Sequence, residues 1–329
     1  MTEPLLTIRD LRVVFATPAG PVRAVDGVSL EVREGESLGI VGESGSGKSV
    51  TFASVMGLIR KPGRIDGGSI RFGGRELVGL DQTEYRALRG REIAMTLQDA
   101  LTSLNPALTV GTQITEVLLA HADDLPPGRW ARDRAARERA IEMMRLVGIP
   151  AAEQRLGDYP HQFSGGMRQR MMIAIALSCR PRLLIADEPT TALDVTIQAQ
   201  VLELIASIRA TLGMSVVLIT HDLGVVAEYC DRVAVMYAGQ IVEAGDTAEI
   251  IAAPAHPYTA GLLRSAPSLT HPERPIRPIE GQMPDLTDLP PGCRFLPRCP
   301  LAVPPCQETV AMRAFGGRTV RCVRAGEVS

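Results

Sequence analysis

Gly42-Glu-Ser-Gly45-Ser-Gly47-Lys48-Ser49 fits the pattern G-x-x-x-x-G-K-[ST] in full. In such a loop Gly42, Gly45 and Gly47, with Ser44 and Ser46 between them, let successive backbone N–H groups turn toward phosphate oxygens. Lys48 reaches the outer phosphates, and the Ser49 hydroxyl is suited to Mg²⁺. The chemistry implied is binding of a nucleoside triphosphate. Hydrolysis needs more, and Leu183-Leu-Ile-Ala-Asp187-Glu188 offers it as an apolar run ending in two acids. Asp187 suits the Mg²⁺ shell, and Glu188 can polarise an attacking water. Alone, two acids after a strand are an ordinary surface feature; beside a phosphate loop they read as catalytic. A third segment, Phe163-Ser164-Gly165-Gly166-Met167-Arg168-Gln169-Arg170, opens an amphipathic helix with a hydroxyl and free N–H groups at its positive end. In isolation Ser-Gly-Gly is a common helix cap. Two helix N-termini from distant parts of one chain do not readily serve one nucleotide, so a dimer is expected. In it, Ser164, Gly165 and Gly166 meet the partner's γ-phosphate.

These residues need a frame. Ser37–Val41 is a continuous apolar strand running straight into the glycine-rich loop. Before it, Leu6–Ile8 and Val13–Phe15 read as short strands, followed by the turn-rich Thr17–Pro21 and the alternating Val28–Val32. Arg182–Ala186 and Ser215–Ile219 read as buried strands with the helical stretch Ile197–Leu212 between them. That βαβ alternation predicts a parallel sheet in an α/β fold. Within it, residues 99–163 look like a helical insert, because Arg132–Val147 places Ala136, Ala140, Met144 and Val147 on one face with charges opposite. Beyond Ala253 prolines crowd in at thirteen positions from 254 to 305, which excludes long helices. The expected partition is a nucleotide-binding domain over 1–255 and an irregular, separate region over 256–329.

Bulk properties narrow the function. Lys plus Arg number 35 against 37 Asp plus Glu, so there is no basic excess of the kind nucleic acid would demand. No run approaches the ~18 apolar residues that cross a bilayer; the longest, Met171–Leu177 and Val216–Ile219, are core-sized. Met1–Asp10 lacks a charged-then-apolar export pattern, so work at a membrane would require docking by partners.

Together the motifs resemble the ATP-binding cassette (ABC) ATPase subunits, with a P-loop NTPase core, over almost the whole chain. The resemblance implies that Ser164-Gly-Gly-Met is the family signature, with Met167 in place of the usual glutamine. It implies that Gln98 joins Mg²⁺ to the helical insert, that Ala192-Leu193-Asp194 crosses the dimer interface, and that His221 contacts the γ-phosphate. Phe15 falls where the family stacks an aromatic on adenine; Thr17–Pro21 shifts that spacing, and a core Phe is the alternative. Narrower wording is similar to the ATPases of bacterial dipeptide, oligopeptide and nickel importers: Gln98–Pro106, Tyr159–Arg170, His256-Pro-Tyr-Thr259 and the tail Gly292–Pro300 with Cys306 and Val320-Arg-Cys322. That subfamily implies ATP and Mg²⁺ as ligands and a second ATPase subunit, a paralogue or another copy. It also implies two transmembrane permeases and a substrate-binding protein, with the chain peripheral on the cytoplasmic face of the inner membrane. No nucleic-acid partner is expected. A soluble ABC ATPase acting in DNA repair or on ribosomes is the alternative, against which stand the absence of a long coiled-coil insertion and of a second cassette.

Six cysteines are present, four of them in the tail. Cys179 and Cys230 read as buried thiols. Cys293, Cys299, Cys306 and Cys322 are separated by five, six and fifteen residues, without the tight pairs usual for structural zinc. Four such thiols suit a [4Fe–4S] cluster, and the resemblance supports one, since some peptide-importer ATPases carry it in this tail. Zinc and reduced thiols in a loosely ordered tail are the alternatives.

Overall fold

A long antiparallel hairpin, β1 (Leu6–Thr17) and β2 (Gly20–Val32), begins the computed structural model, which describes residues 3–96, 103–190, 194–265 and 277–328. The chain forms two units, residues 1–80 with 218–329, and residues 81–217. In the first, β1 lies between β2 and β4 (Gly63–Phe72), with β5 (Arg75–Glu76) at the edge. Sequence patterning splits β1 into two short strands, whereas the structure carries one strand through both. The reason is a bulge: register shifts between Ile8 and Leu11, where Asp10 takes φ 47°. One residue is absorbed there, so Leu6, Ile8, Leu11 and Val13 all stay buried although their spacing changes phase.

The same unit holds β3 (Ser37–Val41), every residue buried, paired in parallel with β9 (Arg232–Tyr237). From β9 the sheet continues antiparallel through β10 (Gln240–Asp246) to β12 (Arg318–Val320) and β11 (Arg313–Phe315). The tail is therefore not a region apart: mostly irregular, it adds two short strands to the edge of this sheet. Proline density excludes helices, but a short strand needs only a few residues free of proline, and 313–320 supplies them. Glu243 of β10 fixes the join. Its wholly buried carboxylate accepts from the backbone N–H groups of Ala255 at 2.8 Å and His256 at 3.0 Å, and from Arg318 at 3.4 Å. Helix α1 (Lys48–Val55) follows the glycine-rich loop, and α8 (Leu223–Tyr229), α9 (Thr247–Ala252) and α10 (Pro257–Ser265) complete the unit.

In the second unit β6 (Ile93–Thr96) pairs in parallel with β7 (Leu183–Asp187). Burial of Leu183, Leu184 and Ile185 stabilises β7 by about 1.5–3 kcal/mol each. Helices α2 (Gln82–Leu88), α3 (Val110–His121), α4 (Arg129–Leu146), α5 (Ala152–Arg155), α6 (Gly165–Leu177) and α7 (Val195–Leu212) fill the rest. The expected helix over 132–147 is α4, and Ala136, Ala140, Met144 and Val147 are all buried, against α3 and α6. In β8 (Ser215–Thr220) the chain passes back to the first unit.

Candidate functional site

The phosphate loop is shaped by its surroundings. A Cβ on Gly42 would lie 2.1 Å from the Met236 carbonyl oxygen, and one on Gly47, whose φ is 99°, would lie 2.4 Å from that of Ala24. Only glycine fits either position. Ser46 and Lys48 are buried, whereas Ser44, Gly45 and Ser49 are exposed. The Ser46 carbonyl accepts from Gly239 N–H at 2.8 Å, tying the loop to the turn after β9. Lys48 Nζ donates to the carbonyl oxygens of Gly42 at 2.7 Å and Glu43 at 2.9 Å, so the ammonium spans the loop. Ser49 follows Lys48 in the first turn of α1.

Residues far along the chain border this loop. The Glu43 N–H donates to Tyr258 Oη at 2.8 Å, and Arg298 Nη1 donates to both Glu43 carboxylate oxygens at 3.0 Å. Tyr237, Tyr258 and Phe295 form an aromatic cluster with centroids 4.6 to 5.4 Å apart, and burial pushes both phenols up from their ordinary pKa. Sequence reasoning registers Tyr258 and Arg298 only as subfamily wording. Contacts across more than two hundred residues leave no local pattern to read.

His221 is exposed at the end of β8, just before α8, in the first unit. Phe15 is half-buried on β1, its ring against Gly63, where a Cβ would come within 2.5 Å. Asp187, Glu188 and Ser164–Gly166 belong to the second unit. Asp187 is 5% exposed at the end of β7. Glu188 is half-buried with φ 45°, a left-handed backbone that a non-glycine residue adopts only when its surroundings impose it. Ser164 caps α6, its Oγ accepting from Met167 N–H at 3.4 Å, and Gly165 and Gly166 form the first turn. Gln98, Ala192 and Leu193 lie outside the described residues; Asp194 caps α7, accepting from Ile197 N–H at 2.9 Å.

Cys293, Cys299, Cys306 and Cys322 line one small cavity with His256, Phe295 and Val310. None of the six cysteines is in a disulfide. Burial raises the thiols of Cys293, Cys299 and Cys322 above the ordinary range. Among the described residues no three His, Cys, Asp or Glu side chains converge on a metal-ion position. His256 is wholly buried in the cavity wall, its pKa lowered to about 3 by burial and then by Arg321. Its Nδ1 accepts from Tyr258 N–H at 3.0 Å, and its Nε2 has no hydrogen-bond partner among the described residues.

Phosphate loop, acid-tipped strand and capped Ser-Gly-Gly helix define an ABC-type ATPase. Residues 25–191 match the family model for ABC transporters, and 242–306 that for the oligopeptide/dipeptide transporter C-terminal region. The chain belongs to the ABC transporter family and is an ATPase of it. It is 49% identical to the oligopeptide transport ATP-binding protein AppD of Bacillus subtilis, over 97% of this chain and 96% of that protein. It is 48% identical to the dipeptide transport ATP-binding protein DppD of Haemophilus influenzae (97% and 94%) and to the oligopeptide transport ATP-binding protein OppD of Salmonella typhimurium (98% and 94%). Among solved structures, a dimeric ATP-binding cassette in a post-hydrolysis state with ADP and Pi aligns with a TM-score of 0.64 at 26% identity, covering 74% of this chain and 98% of that one. No described helix is long and apolar enough to cross a membrane.

Proposed function

We propose that this chain is the ATP-hydrolysing subunit of a bacterial importer for short peptides, peripheral on the cytoplasmic face of the inner membrane. The observation that carries the proposal is full-length likeness to oligopeptide and dipeptide transport ATP-binding proteins, together with an intact phosphate loop and acid pair. The loop's N–H groups and Lys48 hold the β- and γ-phosphates. Ser49, Gln98 and Asp187 are hard oxygen donors that fit Mg²⁺, which would offset phosphate charge. Glu188 takes the proton of the attacking water, His221 contacts the γ-phosphate and Phe15 stacks on adenine. Ser164, Gly165 and Gly166 serve the ATP of a second ATPase subunit.

Its remaining partners are two transmembrane permeases and, through them, a substrate-binding protein. The insert over 99–163 docks the permeases. Tagged chain extracted from native membranes should bring down two hydrophobic subunits and a second ATPase, and deleting its gene should abolish peptide uptake. Recovery of the chain alone, or unchanged uptake, would overturn the proposal.

The same reading extends to the tail, where the four cysteines would hold a [4Fe–4S] cluster. Four of the tail's cysteines line one small cavity, and four cysteines are the common ligand set of such a cluster. The orphaned His256 Nε2 in that wall is a further mark of a polar guest. Anaerobically purified protein should be brown, with about four iron and four sulfide per chain. Stoichiometric zinc, or no metal after anaerobic reconstitution, rules the cluster out.

A further inference from the structure

The phosphate loop contains one acid, Glu43, directly after its first glycine. A carboxylate beside a bound triphosphate is repulsive unless something neutralises it, and here a residue of the C-terminal region does. We infer that Arg298 is a positioning residue for nucleotide binding, which neutralises Glu43 and holds the phosphate loop in its binding shape.

The geometry is specific. Arg298 Nη1 lies 3.0 Å from each oxygen of Glu43; the arginine side chain is 5% exposed and the glutamate side chain 31%, so the pair is partly shielded from water and salt. Nε donates to the Glu280 carbonyl at 2.8 Å, Nη2 to that of Ile279 at 3.3 Å, and Nη1 also to Tyr237 Oη at 3.3 Å. These bonds orient the guanidinium toward Glu43. Tyr258 grips the backbone of the same residue through the Glu43 N–H, and the Glu43 carbonyl in turn accepts from Lys48 Nζ. Orientation of the Glu43 peptide thus bears on the phosphate-binding lysine. A second arginine, Arg294, pairs with Asp26 and with the Ala238 carbonyl, next to Gly239, whose N–H donates to Ser46 in the loop. Met283 Cε also borders the loop, 3.0 Å from where a Cβ on Gly45 would stand. A loop held in shape before the nucleotide arrives loses less freedom on binding.

A purely structural Arg298 would anchor the tail and leave nucleotide affinity alone. Titrating MgATP into the full-length chain separates the cases. Arg298→Gln should weaken MgATP binding roughly tenfold, a common coupling between adjoining sites. Adding Glu43→Gln should recover most of that loss, because the unneutralised carboxylate is then gone. In the assembled transporter the KM for ATP should rise while kcat stays within about twofold. Should Arg298→Gln not stay folded, Arg298→Lys carries the test: it keeps the charge but not the two-oxygen grip, and a smaller loss that Glu43→Gln relieves supports the inference. Parent-like affinity in a folded Arg298 variant, or a loss that Glu43→Gln leaves untouched, overturns it.

Discussion

Glu188 combines two features, an acid following the buried end of a strand and a left-handed backbone at φ 45°. That conformation costs of order 1–3 kcal/mol and persists only where the surrounding structure over-determines it; Asp187 and Pro189 on either side are both buried. The cost is intelligible if the turn aims the carboxylate. Glu188→Gln keeps shape and volume and removes the basicity. It should retain MgATP binding and lose turnover by ~10² or more, the scale of general-base catalysis. Single-turnover hydrolysis in the assembled transporter measures this, and normal hydrolysis would remove Glu188 from the role.

At the scale of elements, the helix that begins at Ser164 is held to the rest of its unit by arginines on its polar side. Arg170 Nη1 donates to the Val147 carbonyl at 2.8 Å, capping the C-terminal end of α4, and Arg168 Nε donates to the Pro160 carbonyl at 2.8 Å. A cation at a helix C-terminus is favoured by the helix dipole as well as by the hydrogen bond. Arg170→Ala should therefore destabilise the chain by about 1.5–3 kcal/mol, the range for a hydrogen bond with a charged partner. The midpoint of a urea titration should fall with no change in slope. An unchanged midpoint would mean that apolar packing of Met171, Ile173 and Leu177 holds α6 unaided.

Across the whole molecule, Glu243 is where the cassette and its tail meet. The carboxylate is fully buried and serves the segment entering α10 and the strand β12 at once, through Ala255, His256 and Arg318. Glu243→Ala leaves two N–H groups and a guanidinium, its side chain 9% exposed, short of their acceptor. A loss of roughly 3–5 kcal/mol is expected, as for a broken buried ion pair. Hydrogen exchange should locate the loosening in 253–256 and 318–320 first. Loss spread evenly over both units would contradict the local role.

Local signals carried much of this protein. The phosphate loop, the acid-tipped strand, the capped Ser-Gly-Gly helix and the face of α4 are each legible within one stretch of chain, because a turn, a strand end, a cap and a helical period are local properties. Tertiary structure alone decided the rest. It joined Leu6–Ile8 to Val13–Phe15 through a bulge, which periodicity reads as a break. It attached a proline-rich tail to the sheet by β12 and gathered four unevenly spaced cysteines around one cavity. It also brought Arg298 to Glu43, 255 positions away. Such pairings are set by how the strands stack and where loops close, and the chain between them leaves no periodic trace from which they could be read.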